Sequence, residues 1–471
     1  MRAFLLTLTV CAVVSASVGP AGATGAFGPL APPNPYLGPA GTATMHGDAG
    51  SSDATALPGP GPGTRPVTVY PLAAACPTLL QGYDGMVVGL CTSIAGRTPT
   101  VHLFDPDFEG PVGTSSAALE LTKGSLLGGV YAYLDHADRL VLVDGARALV
   151  RVGHTRDEHG RWRLAVDSST DLSGAIPEGD NVTGLVADWS GAVWFATGGG
   201  VVGTVLPDGA VSTVALPEGE RVANSISAAP SGRVAIATTH ALYEFRADGS
   251  GRPERLWRAP YDRGPGRKPG QLSWGTGSTP TYFGPDTGAD YLTIVDNGAD
   301  QVRALVFRSG GGAPVCSAPV LAGGGAGSEN SPIGVGHSVF VASTYGYPYP
   351  ATPDDAGPAL PSTAPFTGGM TRVDVGADGC RVVWDNAVRS AVVPHVSTAD
   401  GYLYTVERTG AAVTTPVDGY EFAVLDPDTG EVLSRSALPG TVAHDPIQMS
   451  ALIDTRARVW QGTVTGIVRI G

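Results

Sequence analysis

The sequence predicts an all-β fold, and three observations carry this prediction. From about Pro66 onward, short runs rich in Val, Leu, Ile and Tyr alternate with Gly, Asp and Pro turns about every eight to twelve residues. No stretch shows a sustained apolar period of about 3.6 residues, so amphipathic helices are not expected. The runs recur in sets of four, which is typical of a β-propeller made of four-stranded blades.

The N-terminal part of the chain differs in composition from the rest. Arg2 precedes an apolar stretch from Ala3 to Val18, and Ala21-Gly22-Ala23 fits a signal-peptidase site, so residues 1–23 are predicted to be a signal peptide. Residues 24–62 are dominated by Gly, Pro, Ala and Ser and are expected to form a flexible tail. The propeller domain is therefore predicted to span residues 63–471.

Four cysteines remain once Cys11 is assigned to the signal peptide. They are Cys76, Cys91, Cys316 and Cys380. An even number of cysteines in an exported chain indicates two disulfides, for which three pairings are open. Nearness in sequence favours Cys76 with Cys91 and Cys316 with Cys380. No CxxC motif occurs, so we expect neither a zinc site nor a redox site.

Charge and hydropathy restrict the partners. The formal net charge is −14, and a net acidic chain repels nucleic acid and anionic membranes. After the signal peptide, no segment approaches the ~18 to 20 apolar residues that span a bilayer. We therefore expect a secreted, extracellular protein with no membrane span and no nucleic-acid partner, whose ligand is an extracellular small molecule or glycan.

The clearest set of four strands lies between residues 184 and 214. Its strands are separated by turns at Trp189-Ser190-Gly191, Gly198 to Gly200 and Pro207-Asp208-Gly209. Asp-Gly turns suit tight hairpins, because Gly reaches positive φ and the Asp side chain caps the turn. This set predicts one antiparallel blade.

Further sets follow at intervals of roughly 40 to 65 residues, close to the length expected of propeller blades. The predicted sets begin near Ser125, Asn181, Asn224, Ser278, Asn330, His395 and His444. The segment from Gln81 to Leu121 supplies one more, so eight blades are predicted, with seven as the alternative. The last set shows three strands ending at Ile470, and Val67 to Tyr70 is predicted to add its outer strand and close the ring.

Some of these segments resemble known propeller repeats. The set from Asn181 to Leu216 resembles a blade of the streptogramin-lyase type, and the segment from Leu425 to Leu433 resembles the quinoprotein-like repeat. The stretch from Ser278 to Tyr347 is similar to uncharacterised secreted bacterial propellers. Each resemblance covers one or two blades and implies the fold, whereas function has to be argued from a site.

Propeller topology sorts the loops onto two faces. Turns between the first and second and between the third and fourth strands share the first face. Turns between the second and third strands and the connections between blades share the opposite face, here called the funnel face. Three long insertions fall there, at Arg258 to Gly277, Tyr345 to Gly369 and Thr409 to Gly419. Long loops on a rigid scaffold are more often functional than structural.

The candidate site residues are predicted on this funnel face. His395 and His444 begin blades and, with Tyr345, are the candidate catalytic residues, because imidazole suits general acid or base work near neutral pH. Packing in the core is the alternative role. The candidate ligand-binding residues are His240, Asp296, Asn297, Glu329, Asn330, Tyr347, Arg263, Arg267 and Lys268.

Two chemical expectations accompany these residues. A carboxylate beside an amide, as in Glu329-Asn330, suits Ca²⁺, with turn capping as the alternative. The cluster of cations between residues 252 and 268 favours an anionic ligand, because arginine matches carboxylate and sulfate oxygens.

These observations predict a secreted propeller that binds a polar, anionic ligand in its central funnel and acts as a lyase or hydrolase. A non-catalytic glycan- or protein-binding propeller is the alternative. A quinone-dependent oxidoreductase is a weaker alternative, because the chain has no vicinal cysteines.

Overall fold

A computed structural model describes residues 27–107, 114–124, 131–323 and 327–471. The predicted signal peptide and the predicted blade start at Ser125 lie outside these residues. The described chain forms eight antiparallel sheets arranged in a ring, so the predicted eight-bladed β-propeller is confirmed. Its helical content is one 3₁₀ turn, Val442–His444, within the described ranges.

The blades are numbered in chain order. Blade 1 consists of Ala74–Gln81, Val87–Ser93, Pro99–Phe104 and Ala117–Glu120, and blade 2 of Tyr133–Leu134, Leu140–Val143, Ala148–Arg156 and Trp162–Asp171. Blade 3 consists of Val182–Ala187, Val193–Thr197, Val201–Val205 and Val211–Ala215, and blade 4 of Ser227–Ala228, Arg233–Ala237, Ala241–Ala247 and Pro253–Pro260. Blade 5 consists of Thr281–Phe283, Tyr291–Val295, Arg303–Arg308 and Pro314–Pro319, and blade 6 of Ile333–Val335, Ser338–Ala342, Met370–Gly376 and Gly379–Asn386. Blade 7 consists of His395–Ser397, Leu403–Arg408, Tyr420–Leu425 and Val432–Leu438, and blade 8 of Leu452–Ile453, Val459–Thr463, Gly466–Ile470 and Val67–Pro71.

Blade 8 takes strands from both ends of the sequence. Its outer strand, Val67–Pro71, pairs antiparallel with Gly466–Ile470, in the register Val67 to Ile470. The first three strands of blade 8 contact the first strand of blade 1. The inner strand of blade 7 gains a fifth, parallel neighbour, Ala54–Thr55.

An aspartate that caps a turn and also binds a buried tryptophan stabilises blades 3 and 8. In blade 3, Asp188 accepts hydrogen bonds from the amides of Ser190 and Ala192 at 2.7 and 3.2 Å and from the Trp194 indole at 2.7 Å. Trp194 is 0% exposed. Blade 8 repeats the arrangement with Asp454 and Trp460 at 2.8 Å. The recurrent Asp turns therefore connect the hairpins to the core between blades.

Both predicted disulfides are confirmed. Cys76–Cys91 joins the first two strands of blade 1, with Cα atoms 4.0 Å apart. Cys316–Cys380 joins the outer strands of blades 5 and 6, with Cα atoms 5.5 Å apart. Two disulfides favour an extracellular or periplasmic location. In the part of the chain that the structure describes, no helix has the length and apolar character needed to cross a membrane.

The Gly- and Pro-rich N-terminal segment differs from its prediction. Residues 34–57, here called the plug, lie inside the propeller channel, and Thr42 and Asp53 are completely buried. Residues 58–66 then run over the first face, where the Gly59 amide donates to Asp400 at 2.7 Å, before entering blade 8. Composition predicted a flexible tail because the segment cannot bury itself, but the channel wall supplies the surface that buries it.

We expect Asp188→Ala to lower the free energy of unfolding by about 2–3 kcal/mol, because it leaves a buried indole donor without its acceptor. Chemical denaturation followed by Trp fluorescence measures the loss. Asp208→Ala is the matched control, since this exposed turn carboxylate accepts one amide hydrogen bond, from Ala210. Equal losses in the two variants would contradict the capping role.

Candidate functional site

The open space on the funnel face lies beside the propeller axis. A cleft of about 880 Å³ is bounded by blades 3 and 4, by the connection 261–280 (the strap), and by the tip of residues 343–369 (the flap). The volume falls in the range of roughly 300–1,000 Å³ typical of ligand pockets. Its charged and aromatic lining side chains are Arg97, Arg221, His240, Arg263, Trp274, Asp354 and Asp355.

A hydrogen-bond network in blade 4 positions His240. The residue sits in the turn between the second and third strands, where its amide donates to Thr238 Oγ1 at 3.1 Å. The Thr238 hydroxyl donates to the buried Glu220 carboxylate at 2.7 Å, and the Tyr243 hydroxyl donates to the same oxygen at 2.8 Å. Arg258 completes the network with a 2.7 Å ion pair to Glu220. The buried Glu220 carboxylate, paired with the exposed Arg258, therefore holds the backbone that carries the imidazole.

The strap brings Arg263 onto His240. The guanidinium Nη1 donates to His240 Nε2 at 2.5 Å, and its carbon lies 3.7 Å from the centre of the Trp274 ring. The Trp274 indole donates back to the Arg263 carbonyl at 3.0 Å, and the Asn297 amide donates to the same carbonyl at 2.8 Å. Arg263 has no ion-pair partner among the described residues. This arginine is consequently a cation held in place without a carboxylate.

These contacts define the protonation of His240. An arginine only donates, so Nε2 must accept and the ring proton lies on Nδ1, 2.9 Å from Thr239 Oγ1. Burial, and then the adjacent Arg263 charge, lower the pKa of His240 below its ordinary value. The imidazole is therefore neutral at pH 7, and its lone pair points at the guanidinium.

The flap covers the other side of the cleft. Asp355 forms an ion pair with Arg221 across the opening, and both side chains are largely exposed. Close to the flap tip, Arg267 Nε donates to the Gly357 carbonyl at 3.0 Å and the Leu360 amide donates to the Arg267 carbonyl at 2.7 Å. The tip is thus held by hydrogen bonds to the strap and by one exposed ion pair to Arg221.

Several predicted ligand-binding residues hold the strap. Asn297 Nδ2 donates to the carbonyls of Arg263 and Gly266 at 2.8 and 3.1 Å, and Lys268 Nζ donates to the Gly298 carbonyl at 2.5 Å. Asp296 accepts the Arg303 amide at 2.7 Å, and burial raises the pKa of its carboxyl to about 6. Asp296, Asn297 and Lys268, like Arg267, therefore contact the protein backbone instead of the cleft.

Other predicted residues lie elsewhere on the funnel face. Tyr347 is buried and donates to Asp445, which also forms a 3.1 Å ion pair with the buried Arg408. Tyr345 packs against Gly327 at the base of the flap. His444 ends the 3₁₀ turn and packs on Gly440. None of these side chains is among the residues that line the described cleft.

His395 lies in the channel, under the plug. It is buried, its Nδ1 lies 3.3 Å from the Val393 carbonyl, and its Nε2 lies 3.8 Å from Asp53 Oδ1. Burial lowers its pKa. Within the described residues, His395 and His444 share no contact. The plug separates His395 from the open part of the funnel face, and the catalytic roles predicted for His395, His444 and Tyr345 stay predictions.

Glu329 and Asn330 have different hydrogen-bond surroundings. The Asn330 amide donates to Gln448 at 2.9 Å and to the Val392 carbonyl at 3.3 Å. Glu329 is buried near Asn224 and the Leu272 amide, but neither of its carboxylate oxygens has a hydrogen bond of normal geometry within the described chain. Burial raises the pKa of Glu329 to about 8. The described residues contain no group of three His, Cys, Asp or Glu side chains placed to hold a metal ion, so Ca²⁺ is not proposed.

Comparison with known proteins supports the fold. No protein-family model matches the chain. An uncharacterized protein from Archaeoglobus fulgidus is 32% identical over 151 residues, which is 30% of this chain and 29% of that protein. The quinohemoprotein alcohol dehydrogenase of Comamonas testosteroni is 10% identical, with a TM-score of 0.57 over 93% of this chain and 80% of that one. That match shows the fold.

A streptogramin B lyase is also a structural neighbour. It is 10% identical and covers 86% of this chain and 94% of the lyase, with a TM-score of 0.38. At these identities the similarity concerns architecture, and the cleft must be interpreted from its own residues.

The sequence predicted two lining residues of this cleft, His240 and Arg263, but not Arg97, Arg221, Trp274, Asp354 or Asp355. Trp274 lies in a predicted insertion, so an exposed aromatic there was a usable signal. Arg97 and Arg221 lie in short segments of distant blades and carry no local pattern.

We expect Arg263→Ala to raise the pKa of His240 toward its ordinary value, because the adjacent positive charge disappears. An NMR titration of the labelled histidine ring measures the shift. Arg252→Ala, which removes an exposed arginine from a first-face turn, is the control and should leave the pKa unchanged. An unchanged or lower pKa in Arg263→Ala would contradict the contact.

Glu329 predicts a pH dependence of stability. Its pKa is raised in the folded state, so between about pH 4.5 and 8 the folded chain holds a proton that the unfolded chain has lost, and stability falls as pH rises through this window. Glu329→Gln should therefore stabilise the protein at pH 8 by up to about 4 kcal/mol and flatten this slope, since each pKa unit corresponds to about 1.4 kcal/mol. Urea denaturation at pH 5 and pH 8 tests this, with the exposed Glu218→Gln as control. An unchanged slope in Glu329→Gln would show that this carboxyl does not titrate in the window.

Proposed function

We propose that this protein is a secreted ligand-binding propeller that takes a small anionic molecule, or a short acidic glycan, in the cleft between blades 3 and 4, the strap and the flap. The observation that carries the proposal is Arg263. Its guanidinium is stacked on Trp274, contacts a neutral imidazole and has no carboxylate partner within the described chain.

An arginine without a partner is a strong indication of anion binding. Arg258 is paired with Glu220 and Arg221 with Asp355, whereas Arg263 has no acidic partner among the described residues. Burial lowers the pKa of Arg263, which means that the protein environment opposes its charge when no anion is present. A ligand carboxylate or sulfate would offset this cost and accept two parallel N–H donors.

The remaining lining sets the size and kind of ligand. Trp274 is 38% exposed at the cleft and offers an apolar surface for a sugar ring or another flat group. Arg97 adds a second cation without an ion-pair partner among the described residues. The net charge of −14 repels large polyanions at long range, so a short ligand is favoured over a long acidic polymer.

Secretion is part of the proposal. The predicted signal peptide, residues 1–23, supports it, as do the two disulfides. A ligand of extracellular origin fits this location.

A lyase or hydrolase activity is a second candidate, which the neutral His240 favours. When a ligand anion takes the donors of Arg263, the lone pair on His240 Nε2 becomes free to accept a proton. In a lyase, that proton would leave the carbon next to the ligand carboxylate, the charge formed on the carboxylate would face Arg263, and a leaving group would depart from the neighbouring carbon. Without such turnover, the same cleft is a binding site.

Binding is tested with a panel of uronate- and sulfate-bearing disaccharides and their neutral counterparts, by saturation-transfer NMR and calorimetry. We expect binding of acidic members only, and at least a tenfold loss of affinity in Arg263→Ala. Arg252→Ala removes an exposed arginine far from the cleft and should bind normally. Equal binding of neutral sugars, or normal affinity in Arg263→Ala, would overturn the proposal.

The same panel separates catalysis from binding. For a lyase, the ultraviolet absorbance of an unsaturated product should appear with the wild-type protein and vanish in His240→Asn, while binding persists. Binding without any product by mass spectrometry assigns the cleft to recognition alone.

A further inference from the structure

The plug is bound like a peptide ligand. Carbonyls of the plug accept backbone N–H donors from the first strands of six blades, at distances of 2.7–3.0 Å. The donor and acceptor pairs are Gln81 to Thr42, Leu134 to Ala43, Ala228 to Ala49, Tyr282 to Gly50, Gly334 to Ser52 and Val396 to Asp53. In blade 3 the Asn34 side chain donates to the Ala187 carbonyl at 2.8 Å. Seven blades therefore recognise this segment through hydrogen bonds with backbone groups.

One side chain of the plug adds specificity. Asp53 is 0% exposed, and its Oδ1 lies 2.9 Å from His46 Nδ1 and 3.8 Å from His395 Nε2. His46 in turn approaches Thr279 and Ser450, at 3.5 and 3.4 Å, which lie just before the first strands of blades 5 and 8. The carboxylate thus connects the plug to the channel wall near its deepest point.

The plug requires small residues. A Cβ atom on Gly47 would lie 2.7 Å from the Ala54 carbonyl oxygen, because the chain turns back on itself there with a φ of +82°. Bulkier chains could not make this turn inside the channel. The peptide chemistry that fits is therefore a turn-rich segment with glycine at its tight turn and a buried Asp at position 53.

We propose that the propeller channel is a peptide-binding site and that the plug is a ligand of this site held in cis. Binding occurs through backbone hydrogen bonds to the unpaired edges of the inner strands, and at blade 7 Ala54–Thr55 adds a parallel strand, as in β-augmentation. A second copy of residues 27–60 offered in trans should occupy the channel when the resident copy is no longer covalently attached. The site is separate from the cleft, and its test does not depend on the proposed function.

The connection to the propeller can be cut without touching the channel contacts. Residues 62–64 include exposed positions on the first face, and the Gly63 amide makes a single exposed hydrogen bond, 3.1 Å to Ser434. A specific protease site introduced between Gly61 and Thr64 of the full chain therefore allows cleavage of the folded protein. Every hydrogen bond between the plug and the channel wall lies N-terminal to this cut.

After cleavage, we expect the N-terminal segment to remain with the propeller in size-exclusion chromatography. A fluorescein-labelled peptide of residues 27–60 should then exchange into the cut protein, with a rise in anisotropy, and should not enter the uncut protein. Release of the segment on cutting without uptake of the peptide would overturn the proposal. Equal uptake of a peptide of shuffled sequence, or the absence of any exchange, would also overturn the proposal.

Competition by unlabelled peptides tests the role of Asp53 without altering the folded chain. Asp53→Ala in the peptide should compete at least tenfold less well, because it leaves His46 and His395 without their carboxylate. Tyr36→Phe is the matched control, since the Tyr36 side chain is partly exposed on the first face. Equal competition by Asp53→Ala would refute the side-chain part of the site.

Discussion

The unpaired inner edge of each blade is the constraint on which this structure depends. A four-stranded blade pairs its first strand on one side only, so each blade presents backbone donors and acceptors to the channel. Buried donors without partners cost about 1–3 kcal/mol each. Here the chain's own N-terminal segment supplies the acceptors, and the Gln81, Tyr282 and Val396 amides all find carbonyls of the plug. A wide channel is thereby converted into a packed core.

Because the plug fills the propeller axis, the candidate site lies to one side of the axis. In an open propeller, side chains at the blade entries would face a common funnel, and His395 would be a natural member of it. With the plug in place, His395 contacts Asp53 and is closed off from solvent. The open volume then lies to one side, between blades 3 and 4, where the strap places Arg263 on His240. The long insertions determine the cleft because they are the elements on this face that are not constrained by the blade repeat.

Much of the rest of the funnel face serves to hold those insertions. Asn297 and Lys268 bind carbonyls of the strap and of the neighbouring turn, and Arg408 joins the loop after blade 7's second strand to Asp445. Such residues look like binding residues in a sequence, because polar side chains in loops serve both purposes. Their partners here are mostly backbone atoms, which a local pattern cannot reveal.

The sequence by itself determined the blade repeat, the turns with Asp and Gly, and both disulfides, because these depend on short-range periodicity and on residues close in the chain or in equivalent blades. It also placed His240 and Arg263 on the correct face. Only the tertiary structure decided that residues 34–57 fill the channel and that Arg97, Arg221 and Trp274 share a cleft. Both outcomes arise from contacts between segments far apart in sequence. Whether such a segment becomes ordered depends on the surface and the hydrogen-bond partners that the other segment supplies, and the segment's own composition does not reveal them.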